Sequence, residues 1–221
     1  MVGISDIGAS CTRILICSDL HCRSGRHCYQ FKLIIEALLH LKGDCLVIAG
    51  DLFEDLHYHI NNTRFIQELQ KLGFPENPNF ETVFTPSFSS HDPLLNEGSI
   101  SVGSGNIHVR RVARINTGEE KIVVTHGDII LPNGAAAYLV NRIGNILGKK
   151  LLLEDKLKHK IGVRDEWFVM GHTHIPGLDP LRKLGNPGSW KFEWRGGVPY
   201  WRKPTRTFLF YNSKRFRLLR L

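Results

Sequence analysis

Ile14-Leu15-Ile16-Cys17-Ser18-Asp19-Leu20-His21 runs apolar through Cys17 and then turns at once to ionisable side chains. The same transition recurs along the chain. Leu46-Val47-Ile48-Ala49 leads to Gly50-Asp51, and Val83-Phe84 leads through a short loop to Ser89-Ser90-His91-Asp92. Ile122-Val123-Val124-Thr125 leads to His126-Gly127-Asp128, and Trp167-Phe168-Val169-Met170 to Gly171-His172-Thr173-His174. Each apolar run is too short for a helix and reads as a buried strand. Between the first two strands, residues 31–41 carry apolar residues at helical spacing up to Gly43. Residues 58–72 do the same up to Gly73. The resulting βαβαβ rhythm predicts an α/β fold with crossover helices.

Working outward, residues 107–115 alternate apolar residues with Arg110, Arg111 and Arg114, as in one half-exposed strand. Residues 205–211 and 215–221 flank Asn212-Ser213 and read as a closing hairpin. Residues 134–164 form a helical insertion with a break near Gly148, either a lid or a packed helical hairpin. Without an internal repeat or linker, residues 1–221 read as one domain.

Composition narrows the function classes. With 42% hydrophobic and 23% charged residues the chain is an ordinary globular protein, not a disordered or fibrous one. No apolar stretch approaches the roughly 18 residues of a membrane span, and no secretory leader is evident, which predicts a cytoplasmic protein. The net charge of +8 is concentrated in residues 181–221, where eleven Lys and Arg face the single Glu193. Trp190, Trp194 and Trp201 lie in the same basic stretch. Such a region either attracts phosphate-bearing ligands and nucleic acid or protects edge strands from aggregation. None of the cysteines, Cys11, Cys17, Cys22, Cys28 and Cys45, forms a Cys-x-x-Cys pair. Free thiols in a reducing compartment are therefore expected.

In an open α/β sheet, ligands gather at the carboxyl ends of the strands. Turn chemistry accounts for a single Asp there, but not for Asp-x-His, Asp, His, His and His-x-His at successive ends. Imidazoles mixed with carboxylates suit Mn²⁺, Fe or Zn²⁺ better than Mg²⁺ or Ca²⁺. Asp19, His21, Asp51, His126, His172 and His174 are too many for one ion and fit two that share a carboxylate.

These motifs, in this order, together with Glu54, Asp55 and the later Asn186-Pro187-Gly188-Ser189, resemble the signature of the calcineurin-like metallophosphoesterases. The resemblance implies a two-sheet αββα sandwich and a phosphoesterase acting on a monoester, diester or pyrophosphate through a metal-bound hydroxide. It further implies that Asp19, His21 and His174 hold one ion, His126 and His172 the other, and that Asp51 bridges two divalent ions, Mn²⁺ foremost. His91 would be the general acid, with Asp92 orienting it. Where the family usually has an Asn ligand, this chain has Ser90, so a water completes that shell or the second ion binds loosely. The insertion is similar in placement to that of the UDP-2,3-diacylglucosamine pyrophosphohydrolases, although Ile129-Ile130-Leu131-Pro132 replaces their polar run. A second function class, a nucleic-acid-binding protein on the same fold with weak or lost turnover, is kept alongside, carried by the basic carboxy-terminal region.

Overall fold

The computed structural model describes residues 3–193, 198–213 and 215–221. Along β2 (Arg13–Cys17), Ile14 and Ile16 point to one side, Leu15 and Cys17 to the other, and all four are buried. A strand buried on both faces needs a layer on each side. One layer is helical: α1 (Tyr29–His40) and α2 (Asn62–Leu72) bury Phe31, Ile34, Leu38, Phe65 and Leu69 against Leu15, Leu46 and Phe84. The other is a second sheet.

The first sheet pairs β2, β3 (Cys45–Ile48), β4 (Glu81–Phe84) and β6 (Gly105–Val109) in parallel. Antiparallel β5 (Gly98–Val102) closes one edge, and the hairpin β12 (Thr207–Asn212) with β13 (Arg215–Arg220) closes the other. The second sheet runs β1 (Ser5–Ser10), β7 (Val112–Asn116), β8 (Lys121–Thr125), β9 (Trp167–Met170), β11 (Leu184–Asn186) and β10 (Gly177–Asp179). Ile14, Ile16 and Val47 meet Ile115, Ile122, Val124 and Val169 between the sheets. The opposite faces of β8 and β9, through Val123, Phe168 and Met170, are covered by α3 (Gly134–Ile146) and α4 (Leu152–Lys160). The order of layers is therefore αββα, as expected. Among the described residues no helix is long and apolar enough to cross a membrane.

Three local expectations are corrected. Residues 107–115 are not one strand: Val109 ends β6 in the first sheet, Val112 begins β7 in the second, and Arg110-Arg111 carry the chain between sheets. α2 begins at Asn62 rather than residue 58, because Asn61 caps it by accepting from the Arg64 amide at 2.8 Å. Cys22 and Cys28 are not free thiols but form a disulfide, with Cα atoms 5.6 Å apart. Cys22 is tied to the loop after β3 and Cys28 begins α1, so the intervening loop folds back and brings them into bonding range. Cysteine usage therefore gives no argument for a reducing compartment; Cys11, Cys17 and Cys45 are free and buried.

The basic tail divides between the two roles weighed for it. Arg215 and Arg217 sit exposed on edge strand β13, where charge blocks edge pairing. Trp190 is a core residue whose indole N–H donates to the Thr207 carbonyl at 2.9 Å. Trp201 is exposed, and Trp194 lies outside the described residues.

Candidate metal centre

The carboxyl ends of β2, β3, β8 and β9 open on the same edge of the sandwich and bring their Asp and His residues together. Asp19, His21, Asp51 and His174 each direct one ligand atom into a cluster in which all four lie within 4.8 Å of one another. The backbone is bent to do so. Asp19 (φ 54°), His21 (51°), Asp51 (47°), His91 (72°), His172 (65°) and His174 (57°) all occupy the left-handed region. A non-glycine residue there costs about 1 kcal/mol or more. Gly50 and Gly171 permit the close approach. A Cβ on Gly50 would overlap the His126 ring, and one on Gly171 would lie 2.7 Å from the Ala49 carbonyl oxygen.

The electrostatics of the cluster call for a cation. Asp19 Oδ1, Asp51 Oδ1 and His21 Nε2 are buried without a hydrogen-bond partner among the described residues. Asp19 Oδ1 lies 3.0 Å from His174 Nε2, but not in hydrogen-bond alignment. Asp19 Oδ2 accepts from the Ser18 hydroxyl at 2.6 Å and the His172 amide at 3.0 Å. Although burial opposes ionisation, the histidines around it, His174 foremost, hold Asp19 well below the usual carboxylate range. Burial, together with the carboxylates of Asp19, Asp92 and Asp128, pushes Asp51 well above it.

His21, His126 and His172 have their outer nitrogens committed. His21 Nδ1 is 2.6 Å from Glu54 Oε2, leaving Nε2 facing Asp51 Oδ2 at 3.6 Å. His126 Nδ1 donates to the Ala49 carbonyl at 3.0 Å, and His172 Nε2 to the Leu131 carbonyl at 2.7 Å. Such carbonyl partners fix the tautomer and free the other nitrogen as a ligand. His126 Nε2 and His172 Nδ1 then face each other at 3.1 Å, with Asp51 Oδ1 3.6 Å from His126 Nε2. Two lone pairs at that distance repel unless a proton or a cation lies with them. Burial opposes a charge on His126, yet Asp51, Asp19 and Asp128 raise it to about 9, whereas burial and the charge of His126 lower His172 to about 4.

His91 and Ser90 line the same 250 Å³ cavity as His21, Asp51, His172 and His174. The group that orients His91 is not Asp92. His91 Nδ1 donates to the Glu54 carbonyl at 3.0 Å. The Asp92 carboxylate instead accepts from the amides of Asp51 (2.7 Å), Ser87 (2.9 Å) and Phe53 (3.0 Å), and so fixes the turn that presents Asp51. Both Asp92 oxygens are thus engaged by backbone amides and His91 Nδ1 by the Glu54 carbonyl, which corrects the expectation of a His91–Asp92 pair. Burial dominates both groups, lowering His91 from its ordinary value and raising Asp92 to about 6. Asp128 does for the Ser89-Ser90 turn what Asp92 does for Asp51, accepting from the Phe88 and Ser89 amides at 2.8 and 2.7 Å.

Sequence reading missed Lys191, Tyr200 and Asn133 as members of the cavity. Lys191 is buried, with Nζ 3.0 Å from Glu54 Oε2 and 3.4 Å from His21 Nδ1. Only its place in the basic tail marked it. Asn133 accepts from the Ala136 amide at 3.0 Å and caps α3, whose first turn lines the cavity. An N-cap before an Ala-rich run was the available signal.

No family model matches the chain, and no curated protein matches it. It is similar to the solved structure of Vacuolar Protein Sorting 29 from Cryptosporidium parvum, at 14% identity and TM-score 0.48 over 96% of this chain and 97% of that one. It is also similar to Vps29 complexed with Zn²⁺ from Entamoeba histolytica, at 14% identity and TM-score 0.46 over 95% and 98%. A predicted phosphoesterase from Streptococcus pneumoniae matches at 15% identity and TM-score 0.41 over 96% and 99%.

Proposed function

We propose that the chain is a metal-dependent phosphoesterase with a dinuclear centre, hydrolysing a phosphomonoester, phosphodiester or pyrophosphate. The observation that carries this is the cluster of Asp19, His21, Asp51 and His174, in which Asp19 Oδ1, Asp51 Oδ1 and His21 Nε2 are buried without a hydrogen-bond partner among the described residues. Leaving a buried polar atom unsatisfied costs about 1–3 kcal/mol, more if charged. Three of them, on three of the six left-handed residues of the site, make a destabilising arrangement that a divalent cation would offset. The residues fit such ions: Asp19, His21 and His174 would hold one, His126 and His172 the other, and Asp51, with an oxygen toward each group, would bridge them. Ser90 would complete the second set directly or through water.

When bound, two divalent ions lower the pKa of a water to near neutrality and offset charge on the phosphoryl oxygens. The protein's own groups do the rest. Glu54 fixes His21 through its carboxylate and His91 through its carbonyl. With Nδ1 committed to that carbonyl, His91 has Nε2 left to carry a proton to the leaving oxygen. Lys191 and the amino-terminal turn of α3 add positive potential to the cavity wall where the phosphate would sit.

The test is elemental analysis after Mn²⁺ loading, followed by assay on aryl monoesters, diesters and nucleotide pyrophosphates. Up to two ions per chain and turnover of at least one class are expected, and both fall in Asp51→Asn. No metal above background after loading would overturn the reading. Metal binding without turnover, together with tight nucleic-acid binding, would favour the nucleic-acid-binding alternative.

A further inference from the structure

Beside the metal centre lies a second cavity of 350 Å³, reached past His174, Lys191 and Tyr200, which line both. Its walls carry Arg142 from α3, Lys191, Arg202 and Lys203, and no Asp or Glu among the described residues. Lys191 is paired with Glu54. Arg142, Arg202 and Lys203 form no ion pair with a carboxylate among the described residues.

Arg202 is built into the wall. Its guanidinium carbon lies 3.7 Å from the Tyr138 ring centroid and 4.4 Å from that of Trp201, and Nη2 donates to the Tyr200 hydroxyl. Tyr138, Tyr200 and Trp201 pack edge to face around it. Stacking holds the plane of the fork and leaves its N–H edge for an acceptor. Nε and Nη1 are buried without any hydrogen-bond partner among the described residues, and each such donor costs stability unless a ligand supplies the acceptor. A concave surface of one sign concentrates potential, and an Arg fork matches the oxygens of a phosphoryl group.

We propose that this cavity is a subsite for a second phosphate on the substrate, so that the enzyme prefers phosphate esters carrying another phosphoryl group. The inference rests on the phosphoesterase reading, with the scissile phosphate at the metals and the second one at Arg202, Arg142 and Lys203.

The Mn²⁺-loaded full chain is to be compared on thymidine 5′-(p-nitrophenyl phosphate) and the same ester bearing a 3′-phosphate, which differ only in the distal group. Charge-assisted contacts of this kind predict a KM lower by about tenfold or more for the bisphosphate. In Arg202→Gln and Arg142→Gln the ratio of the two KM values falls toward one, and Arg202→Lys retains part of it. Equal KM values in the wild type, or a preference that survives Arg202→Gln, would overturn the subsite. Binding of both esters, read by tryptophan fluorescence, separates the two readings. Discrimination without turnover would keep the subsite and remove the phosphoesterase reading, whereas turnover without discrimination would do the reverse. If Arg202→Gln fails to fold by circular dichroism, Arg142→Gln and Arg202→Lys decide. An oligothymidylate that displaces the bisphosphate equally well from the wild type and from Arg202→Lys would also overturn it, since the surface would then be reading a polyanion without the fork.

Discussion

At the scale of single residues, Asp and His play opposite parts under the same sequence pattern. Asp19 and Asp51 each keep an oxygen without a hydrogen-bond partner among the described residues, while Asp92 and Asp128, equally buried at neighbouring strand ends, spend theirs on backbone amides. Sequence shows which residues reach the edge but not how many amides a turn offers each carboxylate. The clustering of Asp19, His21, Asp51 and His174 was therefore legible in the apolar-to-ionisable transitions, while the Glu54 carbonyl as the partner of His91 was not. Two predictions belong here. His91→Asn should retain metal yet lose about 10² to 10⁴ in rate on an alkyl or nucleoside ester, the span typical of positioned proton transfer, and much less on a nitrophenyl ester. Equal losses on both, at full metal occupancy, would rule out proton transfer by His91. Ser90→Asn should lower the Mn²⁺ concentration giving half-maximal rate, because an amide carbonyl reaches further than the hydroxyl and is a stronger ligand. An unchanged metal titration would show that a water already fills that position.

At the scale of elements, the insertion is neither a free lid nor an inert hairpin. Glu154 on α4 is fully buried and accepts from Asn141 on α3 (2.7 Å), Asn186 at the end of β11 (2.8 Å) and Thr173 (3.0 Å), the residue between His172 and His174. Asn186 also donates to the Gly171 carbonyl at 3.0 Å, so a single carboxylate ties both insertion helices to the turn that presents two imidazoles. Burial raises the pKa of Glu154, and its three donors oppose that rise. Helical periodicity located α3 and α4 correctly, and Gly148 falls at their break, but a polar contact between α4 and residues some twenty and thirty positions later leaves no periodic trace. Glu154→Ala should weaken Mn²⁺ binding by about 10–100-fold, the usual effect of losing a group behind the ligands. Glu154→Gln, which keeps an acceptor of the same shape, should recover part of it. If both variants fold by circular dichroism and bind Mn²⁺ like the wild type, the carboxylate does not position the turn.

At the scale of the molecule, the candidate metal centre sits where the two sheets meet, and its cost falls on the fold as a whole. β2 and β3 from one sheet and β8 and β9 from the other each deliver acidic or basic side chains to that edge, while the apolar layer between Ile14, Ile16, Val47, Ile122, Val124 and Val169 holds the sheets together. The α/β class was legible in the buried strands alternating with helical segments, whereas the αββα order came only with the family resemblance, since β2, β3, β8 and β9, apolar on both faces, must be covered twice but do not say by what. The assignment of residues 107–109 and 112–115 to different sheets was not legible, since alternation reports a strand's faces and not its neighbours. Metal-free protein therefore folds against the desolvation of Asp51 amid Asp19, Asp92 and Asp128. An ion that binds only the folded state adds about 2.7 kcal/mol at a hundred times its Kd. For a chain of 221 residues that corresponds to a Tm increase of roughly 5–11 °C. Asp51→Asn replaces a poorly solvated charge with a neutral group of the same shape, so its metal-free Tm should equal or exceed that of the wild type, while its response to Mn²⁺ shrinks. Calorimetry with and without Mn²⁺ checks both halves. A variant less stable than the wild type without metal, yet raised as far by Mn²⁺, would mean that Asp51 is a structural carboxylate and that the ions bind elsewhere.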